Sequence, residues 1–307
     1  MLIVRHGAVS HSGACYGAGM IRWLMRGGVA AAIAMLAFLY GPPAYVWLLS
    51  EAILDRRYTL PRSLVVADST PGGVERGARL VRLAGCTGCH GADLAGKRLH
   101  LPILIRASNL RALTPRYSDE DFDRAIRRGL RPDSSSLWVM PSQAYLYVRD
   151  ADIAAILGYL RTLKPAGATT PPPQFGKTAR EKIARGELQP AADLSETQMP
   201  AIDLGPHYSG GRYIAMFSCG ACHGTELNGS ADGRAPDLDV VTRYTRSQFF
   251  DLMRQGWSAD GRRLKAMAPL ASQRFHILMD WEIDPLYAYL TARAKAPTMD
   301  QISGALR

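Results

Sequence analysis

Apolar residues recur at helical spacing in two stretches of the chain, and the two stretches share one pattern. In the first, Phe122, Ala125 and Ile126 stand at i, i+3 and i+4, the mark of a helix with one face on a core. Ser118 precedes them as an N-cap, Asp119, Glu120 and Asp121 suit the positive end of the helix dipole, and Gly129 stands where a C′ glycine belongs. Thr245, Phe249, Met253 and Gly256 repeat those positions in the second stretch. A closing helix is expected over Asp150 to Leu163 and another over Asp284 to Ala292. Tyr159 and Tyr289 are placed to pack against an opening helix near Leu80 and Tyr213. Neither stretch shows convincing strand alternation, so the expected fold class is all-α.

The two stretches align at an offset of 133 residues, which reads as one domain duplicated. At that offset Gly77 to Val81 faces Gly210 to Ile214, and His90-Gly91-Ala92-Asp93-Leu94 faces His223-Gly224-Thr225-Glu226-Leu227. Residues 72–166 and 206–295 are therefore taken as two domains. Residues 167–205, with Pro171, Pro172, Pro173, Pro190 and Pro200, have the composition of a linker with stiff stretches.

Ahead of both lies a different pattern. Gly27 to Ser50 is 24 residues without a charge, long enough as a helix to cover a bilayer core of about 30 Å. The continuous apolar part, Val29 to Tyr40, also suits the h-region of a signal peptide. A retained anchor is preferred, because no small-x-small cleavage pair follows and Tyr45 and Trp47 resemble an interfacial belt. Arg5, Arg22 and Arg26 precede the run with no acidic residue, so residues 1–26 are expected inside and the rest exported. Residues 51–71 read as a connector and 296–307 as a tail. Met20 opens a better charged n-region than Met1 does.

Cysteine usage adds the chemistry. Cys86-Thr87-Gly88-Cys89-His90 and Cys219-Gly220-Ala221-Cys222-His223 take four of the five cysteines, leaving Cys15 as a bystander and no disulfide to expect. Cys-x-x-Cys-His is the spacing for covalent haem attachment: two thiols on one turn reach both vinyl groups, and the adjoining His lies under the iron. Two haem c groups are expected. A zinc site would need a second thiol pair or a His pair in range, and none follows either motif.

With these motifs, each half resembles a class I cytochrome c domain, and the chain resembles a membrane-anchored dihaem cytochrome c over about residues 72–295. The lead-in Arg76-Gly77 and Leu80-Val81 is also similar to that of cytochrome subunits of periplasmic dehydrogenases, which usually carry three haem motifs where this chain has two. The resemblance implies tandem cytochrome c domains behind a single transmembrane helix in the bacterial inner membrane, with the haem domains in the periplasm. It also implies Met ligands in a loop after each motif. Met140, before Pro141 and 50 residues after His90, matches that loop, as does Met267, 44 residues after His223. Met253, Met279 and His276 are the alternatives to Met267. Pro236 matches the family position whose carbonyl holds the proximal imidazole; in the first half, where Ala107-Ser108-Asn109-Leu110 stands, Pro102 is the candidate support.

The implied function is electron relay from a membrane or periplasmic dehydrogenase to a soluble cytochrome or terminal oxidase, not catalysis. The alternatives are a dihaem peroxidase-like enzyme or a haem sensor with one open iron. Residues 72–166 hold 15 Lys plus Arg against 9 Asp plus Glu, and residues 206–307 hold 12 against 10. Arg124, Arg127, Arg128 and Arg131 form a basic cluster able to steer an acidic redox partner, or a solvated face. Nucleic acid is not an expected partner, since no aromatic-basic module is visible.

Overall fold

The computed structural model describes residues 15–59, 62–100, 104–230 and 232–296. The chain divides into two units, Met1–Ile53 and Leu54–Arg307. The first is carried by one long helix, α1, Cys15–Leu54. No helix among the described residues is long and apolar enough to cross a membrane. The expected span over 27–50 is therefore not found there, although the side chains of 32–34 and 36–40, the centre of its apolar run, lie outside the described residues.

The second unit is helix-rich. Its elements in order are α2 (Pro71–Leu83), α3 (Cys86–His90), β1 (Lys97–His100), β2 (Leu104–Ala107), α4 (Leu110–Leu113), α5 (Asp119–Asp123), α6 (Asp150–Thr162), α7 (Lys177–Ala184), α8 (Ala191–Thr197), α9 (Ser209–His223), α10 (Arg246–Gln255), α11 (Met267–Gln273) and α12 (Asp280–Arg293). The all-α expectation needs one correction. β1 and β2 form an antiparallel hairpin with Lys97 opposite Ala107. Four-residue strands are too short for alternation to stand out in the sequence, and the pair is held by burial of Ile105 and Ala107.

Capping follows the sequence reading. Ser118 Oγ accepts from Asp121 N–H while the Asp121 carboxylate accepts from Ser118 N–H, and Thr245 and Gln248 make the same reciprocal box. Gly129 and Gly256 end their helices at φ 67° and 78°. After α5 the chain widens into a π turn over Arg124–Arg128. Ser142 Oγ donates to the Ala125 carbonyl, and Gly129 N–H reaches back to Arg124 instead. In the second half, α12 begins four residues before the expected Asp284, because the Glu282 carboxylate accepts from Met279 N–H and starts the helix ahead of Pro285.

Two helix crossings organise the core. α2 packs on α6 and α9 on α12. A Cβ at Gly77 would fall 1.9 Å from the Ala155 carbonyl oxygen and 2.9 Å from Tyr159 Cβ; at Gly211 it would fall 1.9 Å from the Pro285 oxygen and 2.8 Å from Tyr289 Cβ. The tyrosines thus meet the opening helices at glycines, one turn before Leu80 in the first case. The structural partner of Gly77 is Gly211 rather than Gly210, since α9 runs unbroken into its Cys-x-x-Cys-His while α2 breaks at Ala84-Gly85.

The stretch 167–205 is more than a linker. Ala179, Ile183, Ala191, Ala192 and Ser195 are buried, and Ala191 N–H donates to the Leu137 carbonyl at 2.8 Å. The connector after α1 is tied down as well: Tyr58 Oη donates to Asp193 at 2.6 Å, and Asp68 N–H to Ala154 at 2.8 Å.

Adding a methyl at either crossing forces the helices apart. Gly77→Ala and Gly211→Ala should each cost about 1–3 kcal/mol or more, read as a lower thermal midpoint. Gly72→Ala, with nothing within 4 Å of its Cβ, should leave the midpoint unchanged or raise it.

Candidate haem sites

Each Cys-x-x-Cys-His sits at the C-terminal end of helical backbone and is closed by a loop that repeats bond for bond. Gly96 N–H donates to the His90 carbonyl at 2.7 Å and Gly229 N–H to that of His223 at 2.9 Å. Leu94 and Leu227, at φ 60° and 65°, are almost fully buried. Leu110 N–H bonds Leu94 and Leu238 N–H bonds Leu227. Non-glycine residues in the left-handed region carry strain, which here is offset by burying both leucines under the loop.

The loops fix the histidines. His90 Nδ1–H donates to the Ser108 carbonyl and His223 Nδ1–H to the Pro236 carbonyl, each at 2.8 Å. Nε2 of each ring is thereby left as the unprotonated, metal-binding nitrogen. Burial holds both imidazoles below the ordinary histidine range, which favours the neutral, ligating form. Pro236 acts as the sequence suggested. Pro102 lies outside the described residues, and the support in the first half is Ser108, at the matching place: a backbone carbonyl needs no proline.

In the first half, Cys86, His90 and Met140 line one pocket, walled by Val81, Leu113, Phe122, Ile126 and Leu160 among others. An apolar slot with an oriented imidazole, a thioether and a thiol on its wall fits a haem c. In the second half His223 is buried, and Met267 opens α11, half-buried against the apolar core on which Cys219 also packs. Met253 is a buried core residue. Met279 and His276 are exposed, and His276 lines a surface cleft with Arg79 and Arg82.

The thiols argue against other chemistry. Cys86 and Cys219 are half-buried, Cys89 and Cys222 exposed. Burial pushes the Cys86 thiol up to about 11 and Cys219 up to about 12, the opposite of the depressed values of thioredoxin-like pairs. No group of three His, Cys, Asp or Glu able to hold a metal ion occurs among the described residues.

The structure adds what the sequence did not show: the two attachment loops adjoin. Tyr145, after the Met140 loop, is buried, donates to the Ala84 carbonyl at 2.6 Å and meets Phe217 edge-on at 6.3 Å. Arg274, from the second half, donates to the carbonyls of Leu83 and Ser218, just before the first cysteine of each motif. Tyr213 Oη donates to Asp152 at 2.6 Å under the Arg149 guanidinium, and Arg79 pairs with Glu282. The basic cluster is largely spent internally: Arg124 pairs with Glu120, Arg127 with Asp123 and Asp150, and Arg131 is held by Ser135 and Ser136. It is a weaker steering surface than its charge count implies.

Residues 74–164, which carry the first of these sites, match the cytochrome c family profile. A domain of this family holds haem c and its iron covalently. Over longer stretches the chain is similar to the fructose dehydrogenase cytochrome subunit of Gluconobacter japonicus, at 26% identity over 71% of this chain and 52% of that protein. It is similar also to a diheme cytochrome c-type protein of Cereibacter sphaeroides, at 27% identity over 52% of this chain and 59% of that one. A third relative is the gluconate 2-dehydrogenase cytochrome c subunit of Pantoea cypripedii, at 29% over 62% and 46%. The chain spans about half the length of these relatives. Those named as dehydrogenase subunits are electron carriers rather than catalytic enzymes in themselves.

Replacing Cys86 and Cys89 together by Ala should abolish covalent haem at the first motif, read as haem-stained protein and pyridine haemochrome per chain. Cys15→Ser should change neither.

Proposed function

We propose that the chain is a dihaem electron carrier. One haem c would be held by Cys86, Cys89, His90 and Met140, and the other by Cys219, Cys222, His223 and Met267. The observation that carries this reading is the repeated His Nδ1–H to carbonyl bond, at 2.8 Å behind each Cys-x-x-Cys-His. When bound, each haem supplies a one-electron iron couple; the chain supplies everything that tunes and positions it. The carbonyls of Ser108 and Pro236 turn each imidazole and raise its basicity. Apolar walls around Met140 would keep water from the first site, and the thioethers of Met140 and Met267 would serve as iron ligands.

Electrons would pass from a dehydrogenase to one haem, across the shared interface to the other, and on to a cytochrome or terminal oxidase. The names of the relatives support a dehydrogenase as donor. The two haem sites would form tandem cytochrome c domains, 72–166 and 206–295. The proposal includes a single membrane anchor at 27–50 with the haem domains in the periplasm, supported by the uncharged run Gly27 to Ser50 within the continuous helix α1.

Optical spectra test the carrier reading. Wild type should show the weak red band of Met-to-ferric-haem ligation and ignore carbon monoxide; Met140→Ala and Met267→Ala should each remove part of the band and open one iron to carbon monoxide. Carbon monoxide binding by the wild type, with peroxide turnover, would move the reading to a peroxidase-like enzyme. For the anchor, the full-length protein should sediment with alkali-washed membranes and be released when residues 1–53 are removed. Release of the intact chain by the alkaline wash would count against a spanning helix.

A further inference from the structure

This inference rests on the dihaem reading above. Arg274 is 7% exposed, and no carboxylate among the described residues pairs with it. Its guanidinium is held by main-chain oxygens instead. Nε donates to the Leu83 carbonyl, three residues before Cys86, and Nη2 to the Ser218 carbonyl, next to Cys219, at 2.8 Å. Gly85 leaves it room, since a Cβ there would fall 2.8 Å from Nη1. Its plane also lies over Phe275, with 5.0 Å from guanidinium carbon to ring centre. Burying a cation without a counter-ion is expensive, and packing alone gives no reason to put one here.

An oxidised haem carries one more positive charge than a reduced one. A fixed cation near both sites in a low-dielectric interior therefore favours the reduced form at each. We propose that Arg274 is a positioning residue shared by the two haem sites: it clamps the attachment loops together through Leu83 and Ser218, and as a common cation raises both reduction potentials in parallel. The fork geometry explains why an arginine serves, because one planar group reaches two carbonyls on separate segments.

The test is a spectroelectrochemical titration of the full-length holoprotein as wild type, Arg274→Gln and Arg274→Lys, with haem per chain counted first. Arg274→Gln keeps an amide donor but no charge. It should raise the oxidised-to-reduced ratio of both haems by roughly tenfold at a fixed applied potential, about 59 mV for one electron. Arg274→Lys keeps the charge and should hold both ratios within about threefold of wild type. No shift in Arg274→Gln, a shift confined to one haem, or equal shifts in the two variants would overturn the proposal. Should Arg274→Gln fail to accumulate, Arg274→Lys alone decides, because a fall in both potentials there excludes the charge as the cause. A wild type carrying one haem instead refutes the dihaem reading itself, before any variant is measured.

Discussion

The constraint on which the rest depends is the fixing of a histidine ring by a main-chain oxygen. An imidazole on a short helical turn would rotate freely; here Nδ1–H is committed to the Ser108 or Pro236 carbonyl, and only Nε2 faces the site. Holding that carbonyl in place requires the loop between motif and acceptor to be rigid. The buried left-handed leucines Leu94 and Leu227 and the glycine contacts of Gly96 and Gly229 with the Ala107 and Ala235 carbonyls provide that rigidity. The glycine-lined helix crossings then serve as the frame on which the loops are hung.

Much of this was legible because it depends on side-chain identity. Cys-x-x-Cys-His, the Ser118 and Thr245 caps, the ending glycines and the Tyr159 and Tyr289 contacts all need particular residues, and they stand where expected. Main-chain interactions leave no such mark. The Ser108 oxygen was missed because any residue carries a carbonyl, and Arg274 because its partners are carbonyls too. The helices α7 and α8 were hidden among prolines, although Ala179, Ile183 and Ala191 gave them an apolar face to bury. The basic cluster was left open between a steering surface and a solvated face for a related reason, since a count of arginines says nothing of Asp123 paired one turn away from Arg127.

The two halves differ where the repeat is imperfect. Gly256 is covered from within its own half, by the backbone of Ala268 at the start of α11. At Gly129 the nearest atoms an added Cβ would meet belong instead to Ala191 and Ala192 of α8. The first half is thus completed by chain that follows it, fixed by Asp193 to Arg56 and Tyr58. Its Met140 loop is adjoined on one side by the second half, through Tyr145 and Phe217.

That borrowed cover has a temporal meaning. During synthesis the last helix of the first half, α6, is complete before α8 exists, so the first half must wait for some thirty-five further residues before its surface at Gly129 closes. The first motif therefore stands on a partly open scaffold until α8 is made, whereas the cover of Gly256 comes from α11 within its own half. An order of closure is thus written into the chain by the location of a single alanine.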